Sequence, residues 1–262
     1  MKHVDDCRTE IDAVLGDANR VLIATDFDGT LCPIAEHPDE VRLSGETLDV
    51  LDSLAKSTKV EVAVISGRSL SDLQHLVPLK LIMAGNHGLE ISSPENVFRH
   101  PTAVSLRPAI ERACEVLRRA VAHWPGAWVE DKGLTATLHV RNVEMLDGEA
   151  VSFAARRWLA QFGREITLHE GIESVEIRPR VGWDKGCALD DIAERHGPFD
   201  ACLCIGDDTT DEAMFRSAHA NISVVVGPSK NTAAQYCLSG QEDVRPLLSD
   251  IAELLGAEAR TA

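Results

Sequence analysis

The chain has 262 residues, of which 44% are hydrophobic, and its formal net charge at pH 7 is −16. This length accommodates one large domain or two modest ones, and no apolar stretch approaches the length of a membrane-spanning helix. The strong negative charge argues against binding to nucleic acid or to an anionic membrane through the surface at large, although a bound cation can reverse the sign of one pocket.

Two further features predict a cytoplasmic protein. The first residues, MKHVDDCRTE, lack the basic end and the apolar centre of a secretory signal. The seven cysteines are scattered, and their one close pair, Cys202 and Cys204, lies in an apolar run without a CxxC pattern or a histidine cluster. These cysteines are therefore expected to be reduced thiols.

The first part of the chain alternates strands with helices. After an N-terminal helix with apolar residues from Val4 to Leu15, the hydrophobic pattern predicts strands at 20–26, 60–65 and 80–84 and helices at 44–57 and 69–76. The strands are continuous apolar runs, which is typical of strands buried on both faces of a parallel sheet.

The middle of the chain follows a different order, helix, strand, strand, which occurs twice. Amphipathic helices are predicted over 106–121 and 145–162, and strands over 127–131, 134–140, 165–169 and 173–178. Lys132 and Gly133 separate the first two strands and predict a tight hairpin. An antiparallel sheet with helices on one face fits this order.

The parallel pattern returns near Trp183. Helices are predicted at 185–195, 210–218 and 243–255, with strands at 200–205 and 222–226. We therefore predict an α/β fold in which a parallel-sheet core, formed by residues 1–104 and 182–262, is interrupted by an inserted α+β domain at residues 105–181.

Polar residues follow three predicted strands of the core. Asp26 and Asp28 follow the first strand, Ser66 follows the second, and the run GDDTTDE at 206–212 follows a later one. Parallel sheets bind ligands at the carboxyl ends of their strands, so at least four carboxylates converge if these strands are neighbours. A hard divalent cation relieves such repulsion, and Mg²⁺ is favoured because it leaves room for phosphate oxygens. A single one of these acids is better explained as a helix cap or an exposed turn residue, whereas two acidic clusters that each follow a hydrophobic strand favour the metal site.

The spacing of the first pair also indicates chemistry. A carboxylate at the strand end and a second one two residues later can reach one pocket, because Gly29 lets the backbone bend there. One acid can then attack while the other transfers a proton. Composition and spacing alone thus predict a metal-assisted phosphotransferase.

Several motifs carry a family resemblance. The segment DFDGTL at 26–31 resembles the first motif of the haloacid dehalogenase (HAD) superfamily, and Ser66, Lys185 and GDDTTD match the later motifs in order. Together the segments DFDGTLCPI, SGR, AGNHGLE, VEDKG, HVR, VEIRP, DKG and GDDTTDE are similar to the trehalose-6-phosphate phosphatases. The resemblance implies a HAD-like Rossmannoid core with an inserted cap domain of the C2 type. It also implies hydrolysis of trehalose 6-phosphate in trehalose biosynthesis.

The resemblance implies four catalytic residues. Asp26 is the expected nucleophile, which forms an aspartyl-phosphate. Asp28 is the expected general acid and base. Ser66 and Lys185 are expected to bind phosphate oxygens, although Ser66 could also act as a helix N-cap.

The resemblance also implies Mg²⁺ as the cofactor. The carboxylates of Asp26 and Asp207 are its expected ligands, and Asp28 is expected to contribute through its backbone carbonyl. Asp208 and Asp211 are further candidates for binding or surrounding the metal.

The candidates for sugar recognition lie in both domains. A disaccharide is read by charged or amide side chains that make several hydrogen bonds. The candidates are Arg68, Asn86 and His87 in the core and Glu130, Lys132 and Glu176 in the inserted domain. His139 and Arg141 are equally well explained as cross-strand partners on a solvated face.

Three other functions stay open from the sequence. The same fold can serve a phosphatase for another sugar phosphate or a phosphomutase. It can also serve a catalytically silent binding domain, against which the intact Asp26, Asp28, Lys185 and Asp207 argue. Paired carboxylates can also hydrolyse a glycoside, which predicts activity without magnesium. The expected partner is a small-molecule sugar phosphate, with no nucleic acid and no membrane, and a monomer is the working expectation.

Overall fold

The computed structural model describes residues 1–35, 37–171, 173–228 and 231–256. The chain forms two compact units. The parallel-sheet unit comprises Met1–Phe98 and Trp183–Ala262, and the inserted unit comprises Arg99–Gly182.

The described residues form strands and helices in the following order. The strands are β1 (Lys2–His3), β2 (Val21–Thr25), β3 (Val60–Ile65), β4 (Ile82–Gly85), β5 (Glu90–Ser92), β6 (Val97–Arg99), β7 (Trp128–Asp131), β8 (Ala136–His139), β9 (Ile166–Gly171), β10 (Ser174–Pro179), β11 (Ala201–Gly206), β12 (Ile222–Val226) and β13 (Tyr236–Leu238). The helices are α1 (Arg8–Gly16), α2 (Gly45–Lys56), α3 (Leu70–Leu76), α4 (Pro101–Val121), α5 (Met145–Leu159), α6 (Lys185–His196), α7 (Glu212–Phe215) and α8 (Val244–Leu254).

The larger sheet has the strand order β1-β13-β12-β11-β2-β3-β4-β5-β6. Every pair from β1 to β4 is parallel, and β5 pairs antiparallel with β4. This confirms the predicted α/β fold with a sheet rich in parallel strands. The sequence pattern missed β1, β5, β6 and β13, because strands of two or three residues are too short to show a hydrophobic period.

Strand β2 lies in the middle of this sheet and is buried along its whole length. Val21 and Ile23 belong to the hydrophobic core on one face, whereas Leu22 and Ala24 belong to the core on the other. Burial on both faces explains why the strand reads as an unbroken apolar run. The strand order runs outward from β2 in both directions, which is the arrangement that opens a crevice at the carboxyl ends of the strands.

The inserted unit contains a four-stranded antiparallel sheet with the order β7-β8-β10-β9. One face of this sheet packs on α4 and α5 through a third hydrophobic core, to which the strands contribute Ala136, Leu138, Val175 and Ile177. The hairpin between β7 and β8 turns over residues 132–135, with Gly133 at φ +84°.

The boundaries of the units differ slightly from the predicted ones. The first lies at Phe98/Arg99, six residues before the predicted 104/105, and the second lies at Gly182/Trp183, one residue after the predicted 181/182. The first difference arises because α4 begins at Pro101, with His100 as its N-cap, so the whole helix belongs to the inserted unit. Proline at the first helical position was the available sequence signal.

Among the described residues, no helix combines the length and the apolar character that crossing a membrane requires.

Candidate active site

Three strand ends of the parallel-sheet unit lie side by side. Strand β2 lies between β11 and β3, and these strands lead into Asp26, Asp207 and Ser66 respectively. The Asp26 backbone N–H donates to the carbonyl of Ile205 at 2.9 Å, so the ladder between β2 and β11 continues to the point where the acids begin. The structure therefore brings together the polar clusters that the sequence placed at separate strand ends.

Three aspartates form the centre of this site. Asp26, Asp207 and Asp211 each offer one carboxylate oxygen, and these oxygens lie within 4.8 Å of one another. Asp211 is fully buried, and its Oδ2 accepts the backbone N–H groups of Asp207 and Asp208 at 3.0 Å each. The hydroxyl of Thr30 donates to Asp207 Oδ1 at 3.3 Å. Asp211 thus shapes the loop that carries Asp207.

The side chain of Lys185 is the cation of the cluster. Its Nζ donates to Asp26 Oδ1 at 2.7 Å and to Asp211 Oδ1 at 2.6 Å, and the side chain is only 3% exposed. Lys185 is the first residue of α6, whose N-cap Asp184 accepts the backbone N–H of Cys187 at 2.9 Å. One ammonium against three carboxylates leaves an excess of negative charge in a buried place.

The pKa values express this crowding. Burial raises the pKa of Asp26 well above the usual value, and Asp211 and Asp207 add to the rise against the lowering effect of Lys185. Burial and Asp211 raise the pKa of Asp207 to about 6. Burial lowers the pKa of Lys185, but Asp211 and Asp26 outweigh it, so that this pKa is raised. The carboxylates need more positive charge than Lys185 supplies, and their hard oxygen donors fit a divalent cation.

Asp28 has a different partner. Its two carboxylate oxygens accept Arg68 Nε and Nη2 at 2.7 Å each, in a bidentate pair. The Arg68 guanidinium also lies 5.5 Å from the centre of the Phe27 ring and donates to the carbonyl of Pro38 at 3.2 Å. The sequence assigned Arg68 to the sugar, whereas the structure places it on Asp28.

Asp208 is exposed and caps the short turn that follows it. Its Oδ1 accepts the backbone N–H of Thr209 at 2.6 Å and the Thr209 hydroxyl at 3.1 Å. This geometry matches the capping alternative that the sequence left open for a single aspartate.

Ser66 is buried at the end of β3. Its Oγ accepts the backbone N–H of Arg68 at 3.2 Å, and its carbonyl accepts the backbone N–H of His87 at 2.9 Å. The helix N-cap that the sequence considered for Ser66 is instead Ser69, whose Oγ accepts the backbone N–H of Asp72 at 3.1 Å.

Asn86 and His87 both adopt a left-handed backbone, with φ values of 52° and 57°. The ring of His87 lies against Gly67, where an added Cβ would come within 2.7 Å of ring atoms. Asn86 is fully buried, and its amide donates to Glu90 Oε2 at 2.9 Å. The sequence reading missed Glu90, although it ends the quoted segment AGNHGLE.

The sugar-recognition candidates of the inserted unit are fixed by neighbours on its sheet. Glu130 Oε2 lies 2.8 Å from His139 Nε2 and 3.8 Å from Lys132 Nζ. Arg178 donates to Glu176 through Nε at 2.9 Å and Nη2 at 2.5 Å. His139, which the sequence left undecided, therefore holds Glu130, and alternation along the strands puts it on the face opposite α4 and α5.

Known proteins resemble this chain in sequence and in fold. A family model described as trehalose-phosphatase matches residues 24–242. Probable trehalose-phosphate phosphatase E of Arabidopsis thaliana is 30% identical over 256 residues, which cover 90% of this chain and 71% of that protein.

Two other similar proteins differ in how much of their own length this chain covers. An uncharacterized glycosyl hydrolase of Mycobacterium tuberculosis is 34% identical over 246 residues, which cover 89% of this chain, and this chain spans only 18% of that protein's length. The structure of the C-terminal domain of trehalose-6-phosphate phosphatase from C. albicans superposes with a TM-score of 0.81 at 23% identity, over 94% of this chain and 96% of that one. At 23% identity, this similarity shows that the two chains share a fold and nothing further.

Gly29 is expected to be essential for a cation site at Asp207. Its φ is +80°, and an added Cβ would lie 2.2 Å from Asp207 Oδ2. We expect Gly29→Ala to displace this carboxylate and to weaken Mg²⁺ binding by about tenfold or more, measured by titration calorimetry. The control is Gly133→Ala, where φ is +84° and an added Cβ meets nothing within 4 Å. Equal Mg²⁺ affinity in the two variants would contradict the expectation.

The metal-free protein should gain stability when the charge of Asp207 is removed. Because its pKa in the fold is about 6 rather than 3.8, ionisation of Asp207 destabilises the fold as pH rises between these values. We expect Asp207→Asn to raise the free energy of unfolding in EDTA at pH 7 by roughly 1–2 kcal/mol, and by much less at pH 4. Urea denaturation measures both. Asp208→Asn, a change at an exposed residue of the same loop, serves as the control. If Asp207→Asn is no more stable than this control at pH 7, ionised Asp207 does not destabilise the metal-free fold.

Proposed function

We propose that this chain, which belongs to the trehalose-phosphatase family, hydrolyses trehalose 6-phosphate to trehalose and phosphate. The observation that carries the proposal is the cluster of Asp26, Asp207, Asp211 and Lys185 at adjacent strand ends, inside the range that the family model matches. Such a cluster combines an acidic nucleophile, cation ligands and a fixed ammonium, which are the parts that phosphoryl transfer needs. We expect this reaction to be a step of trehalose biosynthesis.

We assign the metal-binding residues by asking which carboxylate oxygens are not already used in hydrogen bonds within the protein. Asp211 uses both oxygens, one for Lys185 and one for two backbone N–H groups, so we give it the role of positioning the site. Asp26 and Asp207 would hold Mg²⁺ with the backbone carbonyl of Asp28, and its charge would let an anionic nucleophile approach a phosphate. Asp208, which caps its own turn, stays nearby as a candidate for the surrounding shell of water and side chains.

Asp26 is proposed as the nucleophile. Its carboxylate would attack phosphorus, the bond from phosphorus to the sugar oxygen would break, and an aspartyl-phosphate would form. The ammonium of Lys185, 2.7 Å from Asp26 Oδ1, favours the ionised carboxylate that the attack requires. Water would then hydrolyse the aspartyl-phosphate and release phosphate.

Asp28 is proposed to donate a proton to the departing sugar oxygen and later to take one from water. The bidentate pair with Arg68 holds its carboxylate in one orientation while the site waits for substrate. Ser66 and Lys185 are proposed to bind the phosphate oxygens, whose charge spreads as the bond to the sugar breaks.

The inserted unit is proposed as the cap domain, of the C2 type, that recognises the sugar. Its polar sheet face carries Glu130 and Glu176, each held by a basic neighbour, with Lys132 close to Glu130. Carboxylates fixed in this way accept hydrogen bonds from sugar hydroxyls without reordering on binding. Asn86 and His87 are proposed to support the sugar from the parallel-sheet unit.

The proposal places the enzyme in the cytoplasm, as a monomer that acts on a small molecule and binds neither nucleic acid nor a membrane. Five of the seven cysteines are buried, as expected for thiols in a reducing compartment.

The substrate assignment is tested by phosphate release. We expect kcat/KM for trehalose 6-phosphate to exceed that for glucose 6-phosphate and sucrose 6-phosphate by at least about tenfold, because polar sugar-binding groups left without partners penalise the wrong substrate. EDTA should stop the reaction and added Mg²⁺ should restore it. A preference for another sugar phosphate, transfer of phosphate within a hexose, or cleavage of a glycosidic bond with phosphate retained would each contradict the proposal.

The covalent route is tested at Asp26. We expect Asp26→Asn to lower kcat by at least about 10³-fold with an unchanged circular dichroism spectrum, because an amide cannot serve as the nucleophile. The control is Asp52→Asn on α2, a partly exposed aspartate that pairs with Lys56. If the variant at Asp26 kept the turnover of this control, Asp26 would not be the nucleophile.

A further inference from the structure

Thr137 lies on β8 and carries a buried side-chain hydroxyl. The residue is only 5% exposed, and its Oγ1 has no hydrogen-bond partner among the described residues. Buried polar groups are almost always hydrogen-bonded, because an unpaired hydroxyl loses its contacts with water and gains nothing in return. Valine has nearly the same shape and would fill this place without that loss.

The sheet register puts Thr137 between two carboxylates. It pairs with Glu130 of β7 on one side and with Glu176 of β10 on the other. Residues directly opposite in an antiparallel sheet present their side chains on the same face, about 4.5–5.5 Å apart. This is the polar face, because the alternate residues of β8, Ala136 and Leu138, belong to the hydrophobic core.

The hydroxyl of Thr137 nevertheless bonds to neither neighbour. Glu130 Oε2 lies 2.8 Å from His139 Nε2, and Glu176 Oε2 accepts the guanidinium of Arg178. The Trp128 and His139 rings stack with their centres 4.2 Å apart. This stacking restricts the orientation of the His139 ring, which holds Glu130. Two oriented carboxylates therefore flank one hydroxyl that has no partner in the described part of the chain.

We propose that Thr137 is a further sugar-recognition residue, whose Oγ1 hydrogen-bonds a hydroxyl of the sugar part of the substrate. This inference rests on the proposed function and deepens it. A carboxylate can only accept, whereas a threonine hydroxyl can donate and accept. A sugar hydroxyl that donates to Glu130 or Glu176 keeps lone pairs, and Thr137, which lies between the two carboxylates, is a neighbour that can donate to them.

The test compares Thr137→Val and Thr137→Ser on two substrates, trehalose 6-phosphate and 4-nitrophenyl phosphate, which has no sugar. We expect Thr137→Val to lower kcat/KM for trehalose 6-phosphate about tenfold, the effect of one lost hydrogen bond, and to leave 4-nitrophenyl phosphate unchanged. Thr137→Ser keeps the hydroxyl and should keep most of the activity. The matched control is Thr167→Val on the edge strand β9, where Thr167 Oγ1 already lies 3.1 Å from His169 Nε2.

Three results would overturn the inference. Equal losses on both substrates, with a lowered melting temperature, would make Thr137 a structural residue. No loss on either substrate would mean that the hydroxyl binds a buried water only. A loss with trehalose 6-phosphate that Thr137→Ser does not rescue would assign the effect to the methyl group.

A binding measurement separates this inference from the proposed function. Titration calorimetry with trehalose, in the presence of Mg²⁺, should show about tenfold weaker binding to Thr137→Val than to the wild type and to Thr167→Val. If the wild type prefers another sugar phosphate, the proposed substrate is wrong, and the same variants tested on that substrate still decide the role of Thr137. If the wild type binds neither trehalose nor any sugar phosphate of the panel, both proposals fail.

Discussion

The site depends on one electrostatic constraint, which is that three carboxylates and one ammonium share a buried space at the end of β2. Lys185 bridges Asp26 and Asp211 at 2.7 and 2.6 Å, yet the pKa values of Asp26 and Asp207 are still raised. The cluster is therefore still short of positive charge. Such an excess of negative charge favours the binding of a divalent cation.

The backbone around the cluster is shaped to keep it so crowded. Gly29 and Gly206 leave space in which a Cβ would collide with Asp207 and Asp211, respectively. The N–H groups of the loop after β11 converge on Asp211 Oδ2, and Thr30 holds Asp207. These groups are preorganised, so the acids keep their places without help from a ligand, and the ordering cost falls on folding rather than on each turnover.

In the inserted unit, the carboxylates lie on one face of a sheet and are paired with basic residues. Its antiparallel sheet has one apolar face, which packs on helices, and one polar face, because strand residues alternate between faces. On the polar face each carboxylate is held by a basic partner, His139 for Glu130 and Arg178 for Glu176. Charged residues can be half-buried here because they are paired, and the pairing fixes the orientation of their carboxylates.

Periodicity and strand-end chemistry were enough to predict the alternating core, the insertion, and the meeting of Asp26, Ser66 and Asp207, because parallel strands with neighbouring positions end at one edge. Motif order, and not composition, then led to the family. The sequence by itself could not show that Arg68 pairs with Asp28, that Asp208 caps its own turn, or that Asp211 rather than Asp208 joins the cluster. These contacts depend on which side chains the fold brings within about 3 Å of one another. Arg68 and Asp28 are 40 positions apart in the sequence, and Lys185 and Asp26 are 159 positions apart, so no local sequence pattern indicates that they pair.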